Sequence, residues 1–115
     1  MKTKYFDIFR TEFRKEGVVP IFEKLESFKS KPFETKPIPY PVYANWINAE
    51  MQKLRKEPVT FECGCITTKH KGSYVWLDVK VNENITYKIS KMKKAVYLSW
   101  FQHNYEVMLS IAKLA

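Results

Sequence analysis

Hydrophobic and polar residues alternate through both halves of the stretch "YVWLDVKVNENITYKIS" (residues 74–90). In the first half, Val75 and Leu77 fall on one side of a strand, and Tyr74 and Trp76 fall on the other. The Asn-Glu-Asn tripeptide between the halves is typical of a tight turn. The stretch therefore predicts an antiparallel hairpin with one hydrophobic face and one mixed face.

Upstream of this hairpin, residues 59–67 alternate in the same way and predict a third strand. Cys63 and Cys65 fall on its hydrophobic side, so we interpret both as core residues. A zinc site is the alternative, and it would need both cysteines to converge with His70 and His103, without the usual CxxC spacing. A disulfide between cysteines two residues apart would be strained. We therefore expect no metal and no cofactor.

Two helices are predicted to flank the three strands. Residues 42–56 place Trp46 and Ile47 on a hydrophobic face, and this helix ends at a Glu-Pro dipeptide. From Ser90 onward the chain has no Gly or Pro and carries a hydrophobic stripe at helical spacing, which favours a long helix. A strand over residues 95–101 is the alternative. The order α-β-β-β-α predicts an α+β fold, in which two helices cover one face of a three-stranded antiparallel sheet.

The N-terminal part of the chain predicts an appended segment. Residues 1–29 are expected to form a helical extension, with one helix over residues 3–16 and a second beginning near Pro20. The first of these helices has phenylalanines at helical spacing: Phe6, Phe9 and Phe13. Four prolines make residues 30–41 an extended connector. The remaining residues, 42–115, would then form the α-β-β-β-α domain.

The composition favours an acidic partner. The 115 residues include 20 Lys+Arg and 12 Asp+Glu, which gives a formal charge of +8. A basic surface of this kind favours nucleic acid. The sequence contains neither a membrane-spanning hydrophobic run nor a signal peptide, so we expect a soluble, cytoplasmic protein that binds no membrane.

No catalytic motif stands out in the sequence. Paired carboxylates, a Ser/His/Asp arrangement, a Gly-rich phosphate loop and a metal-ligand pattern are all missing. A nucleophile pair of His70 with Cys63 or Cys65 is the one conceivable alternative. We therefore expect that the protein is not an enzyme and has no catalytic residues.

Three polar clusters have the chemistry that an RNA duplex requires. A-form RNA displays 2′-hydroxyls in a shallow minor groove, so its reader needs polar side chains for hydroxyls and cations for phosphates. From Lys69 to Lys94, seven lysines stand against Asp78 and Glu83. The candidate RNA-binding residues lie on the first helix, in the turn after the first strand and at the start of the last helix: Asn45, Asn48 and Gln52; Lys69, His70 and Lys71; Lys91, Lys93 and Lys94.

The same segments resemble the double-stranded-RNA-binding domain family. "INAEMQK" (47–53) resembles that family's first helix, with Asn48 and Gln52 at its polar positions. "KHKGSYVWLDVKVNENITY" (69–87) resembles its loop and hairpin, and "SKMKKAV" (90–96) resembles the basic start of its last helix. The resemblance covers about residues 41–113. It implies a non-catalytic module that binds double-stranded or structured RNA, or a component of a ribonucleoprotein.

A protein-binding module on the same fold is the alternative, such as a viral or phage factor that inhibits a host protein. Its partner, which could be a second copy of the chain, would meet exposed aromatic side chains. The candidates lie on the sheet face opposite the helices and in the N-terminal segment: Tyr74, Trp76, Phe6, Phe9 and Phe13.

Overall fold

The computed structural model describes residues 2–25, 31–58 and 64–112. Within these residues the chain forms seven strands and two helices. In chain order they are β1 (Lys2–Phe6), β2 (Ile8–Arg14), β3 (Gly17–Glu23), β4 (Phe33–Glu34), α1 (Tyr40–Leu54), β5 (Ile66–Lys71), β6 (Tyr74–Asn82), β7 (Ile85–Lys93) and α2 (Lys94–Ala112).

The larger sheet has four strands in the order β1-β7-β6-β5. Strands β5, β6 and β7 form an antiparallel meander, and β1 joins the edge of β7 in parallel. The hairpin predicted over residues 74–90 is confirmed, because Val79 pairs with Tyr87 and Leu77 pairs with Ile89. Its hydrophobic side chains share the inner face of the sheet, as the alternation predicts.

A β-bulge interrupts the pairing of β6 with β7. Val75 pairs with Met92 and Leu77 pairs with Ile89, so the single residue Trp76 stands opposite two residues of β7. Strict alternation from Ile89 would turn Lys91 inward and Met92 outward. The extra residue reverses this, so that Met92 packs against the core and Lys91 is exposed.

The smaller sheet has the strand order β2-β3-β4. Strands β2 and β3 form a hairpin closed by two residues, with Arg14 paired to Gly17. Gly17 has a φ of +149°, and a Cβ at this position would overlap the carbonyl group of Ile38. Two backbone hydrogen bonds between Val18 and Ile38, at 2.9 and 2.7 Å, hold this carbonyl group in place. Glycine is therefore required at position 17.

The core lies between the inner face of the larger sheet, the smaller sheet and the two helices. From the sheets it takes Leu77, Val79 and Phe22, and from the helices Ile47 and Tyr97, each at most 2% exposed. Pro41 lies in the first turn of helix α1. Proline is tolerated there because backbone N–H groups in the first turn have no partner within the helix. No helix in the described part of the chain is both long and hydrophobic enough to cross a membrane.

The predicted fold is wrong in its layers. The structure is α+β, but its main sheet is mixed and four-stranded, a second sheet is present, and residues 2–23 form strands rather than a helical extension. Phe9 and Phe13 are four residues apart, a spacing that suits one face of a helix and also one face of a strand. The many aromatic and β-branched residues of this segment favour strands, and pairing within sheets settles the choice.

Several predicted boundaries also change. The predicted connector includes β4 and the bridge between Ile38 and Val18. The helix expected from Ser90 begins at Lys94, because β7 runs on to Lys93. The strand predicted over residues 59–67 begins at Ile66 among the described residues, whereas positions 59–63, with Cys63, lie outside them.

Candidate nucleic-acid interface

The outer face of the four-stranded sheet carries most of the lysines that the sequence singled out. Because side chains alternate along each strand, the hydrophobic residues that build the core leave the opposite side to polar and aromatic ones. We call one part of this side the basic face, namely the outward-pointing residues within 67–71 of β5 and the residues that lie across the sheet from them. Its residues are Thr67, Lys69 and Lys71 of β5, Tyr74, Trp76 and Asp78 of β6, Lys88, Lys91 and Lys93 of β7, and Tyr5 of β1.

The strand register arranges these residues in three rows across the sheet. In the first row, Lys71 and Lys93 flank Tyr74. In the second row, Lys69 lies beside Trp76, which has the bulge on its other side. The third row contains Thr67, Asp78, Lys88 and Tyr5, in that order. An aromatic ring therefore lies next to a lysine in each row.

A groove of about 500 Å³ runs along the basic face. Eight residues line it: Tyr5, Thr67, Lys69, Lys71, Trp76, Asp78, Lys88 and Ile89. All of them belong to the four strands of one sheet, so a single rigid element builds the groove. Lys69 and Lys71 are exposed and Trp76 is half-buried, which shows that none of the described elements covers this face.

The bulge turns Lys91 outward, next to an aromatic ring of the basic face. The Lys91 ammonium nitrogen lies 4.1 Å from the centre of the Tyr74 ring, a cation–π contact. One face of the Tyr74 ring is therefore already covered. No such contact with Trp76 is found among the described residues.

The charge of the basic face is strongly unbalanced. It holds five lysines and one acidic residue, Asp78, whose carboxylate lies 3.2 Å from the Lys88 Nζ. The other four lysines form no ion pair with any residue in the described part of the chain. Close lysines of one sign raise the local potential and favour a polyanion.

A second groove, of about 440 Å³, extends the basic face toward α2. Its lining joins the turn between β5 and β6 to the start of the helix: Gly72, Ser73, Tyr74, Lys93, Lys94 and Ala95. The Lys94 backbone N–H donates a 2.8 Å hydrogen bond to the Ser73 carbonyl, which holds the two segments together. The structure thus brings Lys94 to the edge of the basic face.

His70, a predicted RNA contact, points to the other side of the sheet. Its Nε2 lies 2.6 Å from Oε1 of Glu50, a residue of α1 that is 2% exposed. The Thr68 hydroxyl donates a 2.6 Å hydrogen bond to the same carboxylate. Thr68 and His70 alternate with Lys69 along β5. The two polar side chains therefore point inward and contact α1, whereas the lysines of β5 point to the outer face.

The polar residues predicted on the first helix lie on the other side of the sheet from the lysines of the basic face. Helix α1 turns Tyr43 and Ile47 into the core on the inner side of the sheet. At 100° per residue, Asn45 and Gln52 then point away from the sheet, and Asn45 and Asn48 are exposed. The helix lies between them and the sheet, so one ligand surface does not combine them with the basic face.

The phenylalanines predicted as a partner surface belong mainly to the core. Phe6 is 4% exposed and packs against Phe22 and Tyr87 at ring distances of 5.3 and 5.0 Å. Phe9 is buried against Trp100, and Phe13 is half-buried beside Tyr43. These phenylalanines therefore pack on the inner side of the sheet, and Tyr74 and Trp76 are left uncovered by described residues.

Sequence reasoning missed five of the eight residues that line the groove: Thr67, Ile89, Tyr5, Asp78 and Lys88. The last two could have been found, because both alternate with hydrophobic residues that turn inward. Tyr5 could not, since its place depends on the parallel pairing of β1 with β7, which leaves no local sign in the sequence. It is 58% exposed and stands beside Lys88.

The zinc alternative would need His70, His103, Cys63 and Cys65 to converge. His103 is exposed on α2 and His70 contacts Glu50, while Cys65 is half-buried near the start of β5. Among residues 2–25, 31–58 and 64–112, no group of three or more His, Cys, Asp or Glu side chains could hold a metal ion.

A comparison of the chain with protein-family models, curated proteins and solved structures finds no match.

Proposed function

We propose that this protein is a non-catalytic RNA-binding module, acting alone or within a ribonucleoprotein, and that it binds RNA through the basic face. The observation that carries the proposal is the combination of five lysines with Trp76 and Tyr5 on one sheet face that no described element covers. Lysines supply phosphate contacts, and flat aromatic rings supply surfaces for bases.

The charge distribution supports a polyanionic ligand. An uncovered sheet face that served only solubility would gain from mixed charges, because like charges on neighbouring strands repel each other. Here four of the five lysines have no acidic neighbour within ion-pair distance in the described part of the chain. Phosphates would relieve this repulsion and release counterions on binding.

The test removes charge from the basic face and, separately, from elsewhere. A triple variant carries Lys69→Ala, Lys71→Ala and Lys93→Ala. A control variant loses the same charge from the side of the smaller sheet, through substitution of three exposed lysines: Lys15→Ala, Lys31→Ala and Lys36→Ala. Affinity for a fluorescein-labelled RNA is measured by fluorescence anisotropy at 50 mM salt.

We expect the triple variant to lose on the order of 1,000-fold in affinity, because each of the three phosphate contacts is worth roughly one power of ten at this salt concentration. The control variant should stay within about threefold of the unmodified protein. Equal losses in both variants would mean that net charge alone attracts RNA. No binding by the unmodified protein at 50 mM salt would refute the proposal and would direct attention to a protein partner.

A further inference from the structure

We infer that the ligand of the basic face is a single-stranded segment of nucleic acid, whose bases stack on Trp76 and Tyr5. This inference rests on the proposed function and names its substrate class. It goes against the duplex that the sequence resemblance implies. The reasons lie in the shape of the groove, in the available ring faces and in the positions of the polar residues on α1.

The shape of the groove suits separate bases. Its volume of about 500 Å³ is typical of sites that enclose small organic molecules, and a nucleotide is of that size. Trp76 and Tyr5 both line it, from β6 and from β1. A duplex keeps its bases stacked on one another in its interior, so their flat faces could not reach these rings. Only an unpaired strand can place a base in the groove.

The aromatic side chains differ in what they can offer. Tyr74 has one ring face covered by the Lys91 ammonium group at 4.1 Å, so it serves mainly to hold a cation. Trp76 is half-buried, and the sheet holds it from behind while its outward surface lines the groove. Tyr5 is 58% exposed at the edge strand. Trp76 is therefore the principal stacking surface and Tyr5 the second.

Lysines lie on both sides of Trp76 along the sheet. Lys69 and Lys71 lie on β5, and Lys91 and Lys93 lie on β7, so two lines of cations enclose the ring of the central strand. The backbone of a single strand is flexible enough to follow such lines while its bases turn inward. By contrast, the side chains suited to 2′-hydroxyls of a duplex minor groove, Asn45 and Asn48, lie on α1, beyond the inner face of the sheet.

The test compares a 12-nucleotide RNA strand with the 12-base-pair duplex of the same sequence, by anisotropy at 50 mM salt. We expect the unmodified protein to bind the single strand at least tenfold more tightly. Trp76→Leu, which keeps a hydrophobic side chain but removes the flat ring, should weaken single-strand binding by about 10- to 100-fold. Trp76→Phe keeps a ring and should lose much less.

Tryptophan fluorescence provides a second readout that does not depend on affinity. Trp46 is 3% exposed in the core, and Trp100 packs between Phe9 and Tyr97, so Trp76 is the tryptophan of the basic face. Stacking of a base should quench its emission. The quenching should disappear in Trp76→Phe although that variant still binds the strand.

The outcomes separate the two proposals. Duplex binding as tight as single-strand binding, or the absence of any effect of Trp76→Leu in a folded variant, would overturn the single-strand inference and leave RNA binding intact. Should the leucine variant not fold, unchanged tryptophan emission of the unmodified protein at saturating RNA would overturn it equally. Failure to bind either RNA would instead refute the proposed function itself.

Discussion

A buried hydrogen-bond network joins the N-terminal strands to both helices, and a pair of substitutions can measure its contribution. Asn104 of α2 is fully buried, and its Oδ1 accepts hydrogen bonds from the hydroxyls of Tyr43 and Thr11, each at 2.7 Å. Its Nδ2 donates to the Trp100 carbonyl at 2.7 Å. Burial also raises the pKa of Tyr43 far above its usual value, so this hydroxyl stays protonated and needs an acceptor.

Asn104→Ala removes the acceptor but leaves both hydroxyls in place. The buried Tyr43 hydroxyl then costs about 1–3 kcal/mol, and the half-buried Thr11 hydroxyl adds roughly 0.5–1.5 kcal/mol. Alanine is the better helix former and returns about 0.5 kcal/mol. We expect a net loss of about 2–3 kcal/mol in the free energy of unfolding. Tyr43→Phe alone should cost only about 1 kcal/mol, because Asn104 keeps its other two hydrogen bonds.

The double variant tests whether the Tyr43 hydroxyl and the Asn104 amide interact. With Asn104 already replaced, Tyr43→Phe removes an unsatisfied hydroxyl, so it should cost nothing or restore stability. The expected coupling is about 1–2 kcal/mol, measured by urea unfolding followed by circular dichroism, with unchanged m-values. If the two losses add to within about 0.5 kcal/mol, the hydroxyl and the amide do not interact. That result would remove one of the contacts that place the N-terminal strands against α2.

Four further predictions follow from the same structure. Five phosphate contacts to a single strand predict a slope of about −3.5 in log K against log salt, and the triple lysine variant should show about −1.4. The triple lysine variant should also unfold at the same urea concentration as the unmodified protein or a higher one, because it loses repulsion and no core contact. Gly17→Ala should lower the free energy of unfolding by at least about 2 kcal/mol, since its Cβ would overlap the Ile38 carbonyl; an unchanged urea midpoint would contradict this. The Arg14 guanidinium lowers the pKa of the Glu12 carboxyl. The ion pair between them therefore stabilises the fold above the usual pKa of glutamate, and this stabilisation is lost as the pH falls through the lowered pKa. The difference in stability between Glu12→Gln and the unmodified protein should therefore shrink below about pH 4, and a difference that is constant with pH would argue against the ion pair.

Local patterns in the sequence were sufficient for the central hairpin and for both helices. The alternation around Leu77 and Tyr87 has a period of two, and a hydrophobic face of that period fits one register only. The stripe around Trp46 and Ile47 likewise has a helical period. Such patterns depend only on neighbouring residues, so a single sequence reveals them.

Pairing between distant segments could not be predicted in this way. Strand β1 joins the sheet because Lys2–Phe6 lies parallel to residues 85–89 of β7, and no turn connects the two. The phenylalanine spacing in residues 6–13 fits a helix as well as strands, so it could not reveal the error. Tyr5 of the candidate site was lost for this reason, while Lys69, Lys71 and Lys93 were found.

The β-bulge explains why local alternation does not predict the full length of β7. A pattern of strict alternation assigns Lys91 to the inner face, which a lysine would avoid, and this favours ending the strand near Ser90. The extra residue opposite Trp76 lets β7 continue to Lys93 with its lysines outward. The bulge is also the feature that places Lys91 over Tyr74 on the basic face.

The basic face has an energetic cost that the fold alone does not explain. Lys71 and Lys93 lie on either side of Tyr74, about two strand spacings or ~9.6 Å apart. In water their repulsion is about 0.4 kcal/mol before salt screening, and five lysines on one face bring the total to the order of 1 kcal/mol. The stabilising burial lies on the other side of the same strands, where Val75, Leu77 and Val79 are at most 2% exposed. Because a strand separates its two faces, stability constrains the inner residues and not the outer ones. The proposed polyanionic ligand would convert the repulsion among these outer lysines into a favourable interaction.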